Sequence, residues 1–541
     1  MKSIEILRKE LLDEGYGQNE FYMKNTKAVC QYLEKNYSEK KFIIFGTGGH
    51  SFEFVDGLKS LSVNAILRPD NLESTFIEKE FTQKIITSVE LETVEFDYVL
   101  LLGFWTQEAI EGFQLEYKLM QQQVLPIYNQ IHLPQYIKKE FINRIGKTDK
   151  KVLLHIVWDS KNDMFSESAY LYKEQYYLIK IYMNAFFFSH ELDKEFDLIL
   201  DQSIFAYNQS IAHRTNSLQS LIKEIVPHTI VCMKPTPMVT MSTCYILMNK
   251  PPETKFIFLA AGDMLLYKVT NFTNSEFAYI LNKDVSDVEL MTKSEEYLLK
   301  HSDGIISSYG GEYYSEVLKK EAKKSIFINF FMKKESFQIL DKDNSSLSQD
   351  IKVCFAGSLD STTADTNPKD FYKAFMTPTR EFKALLKQDF TVDIYTFSSC
   401  GHECYSIMKK EETKFDIYFN TEHSRLPSVL NKYDFGLVLY HMTEPIIDKM
   451  SPILNSCFLS KIITYVSAGI PIICNKEYSF IANIIEEEGI GITFRYDEIH
   501  DLRTKIEDAS YSKLLKNVQK YREKYFNEQR DIAMANFIQE S

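Results

Sequence analysis

The sequence predicts an α/β protein of wound parallel sheets, repeated in three successive units. Three observations carry this. Short apolar runs ended by turn residues, such as KKFIIFG, KVLLHIVWD and IKVCFAG, alternate with helical stretches, the pattern of strands buried on both faces. The 541 residues exceed what one core can organise. Only 19 glycines and 14 prolines with 14% aromatics favour ordered domains over long linkers.

The elements follow in order. Residues 1–36 carry spaced apolar positions of helical type, among them Ile4, Leu7, Leu11, Val29, Tyr32 and Leu33. The strand KKFIIF then runs into glycines, and SVNAILRPD, QKIITS, FDYVLLLGF and QQVLPIYN supply further strands of a first unit, 1–148. The second unit, 149–340, starts at KKVLLHIVWD and continues through FDLILD, HTIVCMKP, TKFIFLAAGD, DGIISSYG and SIFINFF. The polar, turn-forming LDKDNSSLSQD reads as a linker. The third unit, 341–541, carries strands IKVCFAGSLD, FTVDIYTFSS, KFDIYFN, DFGLVLY, IPIICN and GIGITF, then a helical tail expected to cross back to the preceding lobe.

Charge and cysteine content narrow the function. With 62 Lys and Arg against 75 Asp and Glu the net charge is −13, which does not suit a nucleic-acid binder, although a local basic patch for phosphates stays open. The eight cysteines are scattered among apparent strands and helices, as expected of reduced, buried thiols in a cytoplasmic protein. The start, MKSIEILRKELLDEGYG, has no signal-peptide core, and no run of about 18 apolar residues predicts a membrane span. Membrane contact, if made, is expected from the surface, at the inner face.

Most of the chemical signal lies in 424–495. SRLPSVLNKYDFGLVLYHMTEP reads as helix and strand, and SKIITYVSAGIPIICNKE as helix, glycine turn and buried strand. Leu426, Pro427, Leu430, Asp434, Gly436, Lys461, Tyr465, Ala468, Gly469, Pro471 and Ile473 together resemble the donor half of GT-B glycosyltransferases, of the large retaining "glycosyl transferases group 1" type. KVCFAGSLD resembles the strand that opens that family's nucleotide lobe, and SEEYLLKHSDGIISSYG the stretch that ends its acceptor lobe. In the first unit, IFGTGGHS followed by IITSVELE and VLLLGF resembles the small Rossmann domain of bacterial sugar acyltransferases. The expected fold is therefore GT-B, two Rossmann-like lobes, preceded by an extra small Rossmann-like domain.

The resemblance implies a nucleotide-diphosphate sugar as donor, and a glycan, lipid-linked saccharide or protein as acceptor. Open parallel sheets bind ligands beyond their strand carboxyl ends, and a helix N-terminus suits a diphosphate. Donor-binding candidates are Gly357, Ser358, His423, Glu444, Ser460, Lys461, Ile462, Thr464 and Tyr465, with Lys461 as the diphosphate's cation. Asp263, ending an acceptor-lobe strand, is the catalytic candidate, with a helix cap as its other reading. Ser456 and Thr464 stand where the family usually carries glutamates. No cofactor is called for, because helix dipole and lysine can balance the diphosphate. Cys400, His402 and Cys404 form a C-x-H-x-C without the second ligand pair of a zinc site, so no metal is expected.

Gly46, Gly48, Gly49 and Asp70 match part of a dinucleotide fingerprint and form a second nucleotide-binding candidate; a tight turn without ligand is the other reading. The leading expectation is a bacterial-type transferase of polysaccharide or protein glycosylation, alone or as a homo- or hetero-oligomer. Two rivals stay open. One is a catalytically silent scaffold that recognises an acceptor and partners an active transferase. The other is a sugar-nucleotide dehydrogenase or epimerase that uses the first unit.

Overall fold

The computed structural model describes residues 20–21, 26–46, 51, 55, 58, 61–70, 81–102, 105, 107–130, 133–158, 165, 168–183, 195–201, 211–233, 239–260, 271–281, 283–307, 310–328, 347–359, 375–396, 403–419, 421, 425–457, 459–525 and 529–541. They fall into two compact units, Met1–Cys232 with Met248–Lys255, and Met233–Leu247 with Phe256–Ser541.

In the first unit, β1 (Lys41–Phe45), β2 (Ser62–Leu67), β3 (Lys84–Ile86), β4 (Tyr98–Leu101) and β5 (Val124–Pro126) form a parallel sheet in the order β3-β2-β1-β4-β5. Strand residues alternate between the faces. Phe42 meets Tyr37 of helix Thr26–Tyr37, with ring centroids 6.3 Å apart, while Phe45 meets Phe113 of helix Gln107–Glu116 at 4.7 Å. Both faces are thus covered, which is why the four residues after Lys41, FIIF, are all apolar rather than alternating. A further parallel set comprises β6 (Lys151–Val157), β7 (Tyr176–Tyr182), β8 (Leu198–Asp201) and β9 (Thr229–Met233), in the order β8-β7-β6-β9.

In the second unit, β10 (Lys255–Ala260), β11 (Gly304–Ser307) and β12 (Ser325–Phe327) pair in parallel in that order. Six more parallel strands follow: β13 (Lys352–Ala356), β14 (Thr391–Thr396), β15 (Phe415–Phe419), β16 (Phe435–Val438), β17 (Ile472–Asn475) and β18 (Gly491–Phe494). Their order, β15-β14-β13-β16-β17-β18, places the reversal of winding between β13 and β16. The helices are α1 (Thr379–Lys387), α2 (Leu426–Leu430), α3 (Glu444–Leu454), α4 (Ser460–Ser467), α5 (Ser479–Glu488), α6 (Tyr511–Tyr525) and α7 (Gln529–Glu540). Val353 and Phe355 share one core with Phe382 and Leu385 of α1; Cys354 and Ala356 share the other with Ile462 and Tyr465 of α4. The α/β class and the wound parallel sheets are as the apolar strand pattern implied. The tail returns to the earlier strands: Lys324 Nζ donates to the Glu540 carbonyl at 2.9 Å, and a Cβ on Gly304 would lie 2.9 Å from the Phe537 ring.

Two features stiffen the six-stranded sheet. Asp434, just before β16, accepts hydrogen bonds from Lys352 N at 2.9 Å and Ser348 Oγ at 2.8 Å, tying the starts of β13 and β16. On β14, buried Asp393 accepts the Tyr433 hydroxyl proton, and the Tyr433 oxygen lies 2.8 Å from that of Tyr395. Burial pushes the Asp393 carboxyl above its ordinary range, against the lowering effect of Tyr433's hydrogen bond. A carboxyl raised on folding stabilises fully below the unfolded pKa, about 4, and loses that contribution as pH rises through the folded value. Relative to Asp393→Asn, the wild-type protein should therefore lose stability as pH climbs from about 4. Urea midpoints of both proteins across pH would show it; parallel pH curves would refute it.

Candidate functional site

The site grows from a gap in the central sheet. β13 and β16 are in register only at Val353↔Phe435 and Cys354↔Gly436. Beyond that point Tyr465 of α4 enters from one face. Its hydroxyl accepts from Ala356 N and donates to the Leu437 carbonyl, both at 2.9 Å, replacing the ladder bonds that the parted strands cannot make. Gly436 makes room for the ring, since a Cβ there would lie 2.2 Å from Tyr465 Cγ. Complete burial holds the phenol well above its ordinary pKa, so the proton needed for donation stays in place.

α4 begins at Ser460 with no side-chain cap, and its apolar residues Ile462, Ile463, Tyr465 and Val466 are buried. The helix stops at Gly469, whose φ of 73° turns the chain toward β17. Lys461, in the first turn, lies across the carboxyl ends of β13 and β16. Its ammonium donates to the Tyr440 hydroxyl at 2.6 Å, 3.9 Å from the ring centroid of Phe355 and 4.3 Å from that of Tyr440. Such aromatic faces stabilise a cation partly removed from water; Lys461 is only 9% exposed. Gly357 lies above its stem, and a Cβ there would come within 2.3 Å of Lys461 Cε. The ammonium is thereby fixed where the winding reverses.

Tyr440 is itself held. Its ring stacks on Phe375 at 4.6 Å and 3°, and its N–H donates to Asn475 Oδ1 at 3.1 Å. Among the described residues, Asn475 Nδ2 is buried without a hydrogen-bond partner. Next along, His441 Nδ1 lies 2.8 Å from Glu381 Oε1, both side chains nearly buried, and Glu381 Oε2 is buried with no hydrogen-bond partner among the described residues. Cationic, aromatic and amide groups thus converge beyond the carboxyl ends of β13 and β16.

The sequence-predicted residues divide by place. Gly357 and Ser358 follow β13, and Lys461 projects across it. Thr464 is buried, Ile462 and Tyr465 are core side chains, and Ser456 is fully buried with its hydroxyl donated to the Pro452 carbonyl. Glu444 opens α3 and is exposed. Asp263, His423, Cys400, His402, Gly48 and Gly49 lie outside the described residues. Gly46 follows β1 with φ 103°, its N–H on the Leu67 carbonyl at 2.8 Å; exposed Asp70 accepts from Ser88 N at 3.2 Å. Tyr440, His441, Glu381, Phe375 and Asn475 were not singled out from the sequence. Tyr440 ends the expected strand DFGLVLY and His441 directly follows it, a position at a strand's carboxyl end that would have flagged them; nothing local marks Glu381.

Among the described residues, no group of three or more His, Cys, Asp or Glu is placed to hold a metal ion, and no helix is long and apolar enough to cross a membrane. The seven described cysteines are free thiols.

Comparison with curated protein sequences gives no match. Among solved structures, a glycosyltransferase from Rickettsia africae ESF-5 is similar at 14% identity, with 72% of this chain and 98% of that one covered and a TM-score of 0.45. A point mutant of S. aureus TarM, in complex with fondaparinux, α-GlcNAc-glycerol and UDP, is similar at 10% identity over 72% and 99%, with a TM-score of 0.45. The UDP-GlcNAc 2-epimerase of Methanocaldococcus jannaschii is similar at 10% over 72% and 99%, with a TM-score of 0.37. The family model of the Glucosyltransferase 3-like C-terminal domain matches residues 375–528, the stretch that carries Phe375, Glu381, Tyr440, His441, Lys461 and Asn475.

Proposed function

We propose that the protein is a glycosyltransferase of GT-B type. It moves a sugar from a nucleotide-diphosphate donor to a glycan, lipid-linked saccharide or protein acceptor. The observation that carries this is Lys461, which lies inside the stretch matched by the glucosyltransferase model and whose ammonium is fixed by Tyr440 and Phe355 at the winding reversal of the six-stranded sheet. In this reading the diphosphate lies along Gly357 and Ser358, facing Lys461 and the uncapped start of α4. As the bond to the sugar breaks, negative charge grows on the diphosphate. A cation already fixed in place stabilises that charge with little reorganisation. Glu444 serves the sugar side of the donor, His423 the nucleotide, and Asp263 is the catalytic residue. No metal or other cofactor takes part, and the protein works in the cytoplasm or at the inner membrane face. The first unit, through Gly46, Gly48, Gly49 and Asp70, binds a second nucleotide or nucleotide sugar.

One observation favours a second reading, the silent scaffold. Ser456 and Thr464, standing where glutamates would meet the nucleotide, are both buried, and Ser456 spends its hydroxyl on Pro452. The test is a panel of nucleotide sugars assayed for donor hydrolysis and for transfer to bacterial lipid-linked saccharides. Turnover of any donor supports the transferase; binding without turnover across the panel supports the scaffold. No binding of any donor would sink the transferase, and a reduced-nicotinamide absorbance in the purified protein would instead favour a first-unit oxidoreductase.

A further inference from the structure

Within the second unit, strands β10–β12 bring two grips to α3, the helix that leads into α4. The first is at mid-helix. Asn271 N donates to the Lys449 carbonyl at 2.9 Å, and Asn271 Nδ2 donates to the Asp448 carbonyl at 2.8 Å and to Ser451 Oγ at 3.3 Å. Lys449 pairs with Glu276 at 3.0 Å, reinforcing the same junction. The second grip is at the helix end. Gly310 N donates to the Ser456 carbonyl at 2.7 Å. Gly311, at φ 76°, approaches so closely that a Cβ would lie 2.3 Å from the Asn455 carbonyl oxygen, and a Cβ on Gly310 would lie 2.4 Å from Phe480 Cζ. Only glycine permits both approaches.

The connection from α3 to α4 is short, and the residues described at its α3 end are bonded to their neighbours. Ser456 folds its hydroxyl back onto Pro452, Cys457 N donates to the Ile453 carbonyl at 2.8 Å, and Ser479 Oγ donates to Asn455 Oδ1 at 2.6 Å. Four residues after Ser456 the helix bearing Lys461 begins. A shift of α3 therefore reaches Lys461 over few residues of chain. We propose that Asn271 and the Gly310–Gly311 pair are positioning residues for the donor site: from the β10–β12 side they set α3, and through it the place of the Lys461 ammonium. This rests on the reading of Lys461 as the diphosphate's cation.

The consequence is that donor binding is coupled to residues that touch no donor. Titration calorimetry with UDP, GDP and ADP separates the outcomes, using the best binder for the wild-type protein, Asn271→Ala, Lys461→Ala and the double variant. Asn271→Ala should weaken binding by about three- to tenfold in the wild-type background and have no further effect on Lys461→Ala, the non-additivity of two residues acting as one unit. Additive losses, or no loss from Asn271→Ala, would overturn the proposal. Should Lys461→Ala bind as wild type does, the donor-site reading itself fails, and this inference with it. Gly311→Ala gives a second route: weakened binding by a folded variant supports the coupling, and wild-type affinity refutes it.

Discussion

Replacing Lys461 by methionine should weaken nucleoside-diphosphate binding by about tenfold to a hundredfold. Hydrogen bonds to a charged group contribute about 1.5–3 kcal/mol each, and about 1.4 kcal/mol is a factor of ten. Methionine keeps the stem under Gly357 and against Phe355, so packing changes little. It also removes a nearly buried ammonium, and replacing a buried charge by a well-packed apolar group is often neutral or stabilising. Binding and stability should therefore move apart: the unliganded variant melts no lower than wild type, yet gains little from ligand. A thermal-shift screen of nucleoside diphosphates and their sugars reads both quantities together. Equal ligand-induced shifts in the two proteins would remove Lys461 from the site.

The second large effect concerns Tyr465. Tyr465→Phe keeps the ring against Gly436 but strands the Ala356 N–H and the Leu437 carbonyl, both previously bonded to the one hydroxyl. A buried polar group left unpaired costs about 1–3 kcal/mol, so the variant should lose about 2–4 kcal/mol of stability. Gly436→Ala attacks the same contact from the other side and should cost about 1–3 kcal/mol, the usual penalty of overpacking. The double variant should lose less than the sum, because both changes act on one contact. Urea unfolding of the three proteins measures this; a Tyr465→Phe midpoint equal to wild type would show that the hydroxyl bonds contribute nothing net.

The strands were legible in the sequence for a simple reason. Parallel strands covered on both faces must be apolar throughout, so KFIIF, KVCFA and FGLV announce themselves. The helix–glycine–strand unit around Lys461 was equally plain, because Gly469 punctuates it. The roles inside the unit were not. Tyr465 reads locally as one more polar aromatic in a binding stretch, yet its task is set by Gly436, far earlier in the chain, which faces it only once β16 and α4 are packed. Asp434 reads as an acid at a strand entrance, and three-dimensional register alone gives it Lys352 N and Ser348 Oγ as partners. The Glu381–His441 pair joins a helix and a strand end 60 residues apart, and no short-range spacing encodes such a meeting.

The parting of β13 and β16 also bears on how the six-stranded sheet carries load. Its halves, β15-β14-β13 and β16-β17-β18, meet at one end through two residue pairs and the Asp434 tie to Lys352 N and Ser348 Oγ, and further along through the Tyr465 phenol. At the carboxyl-end side of the seam, cohesion thus resides in a side chain borne by α4, the same helix that presents Lys461. Any force that draws this helix outward loosens the seam and shifts the Lys461 ammonium together, so the closure of the sheet and the place of that cation share one anchor.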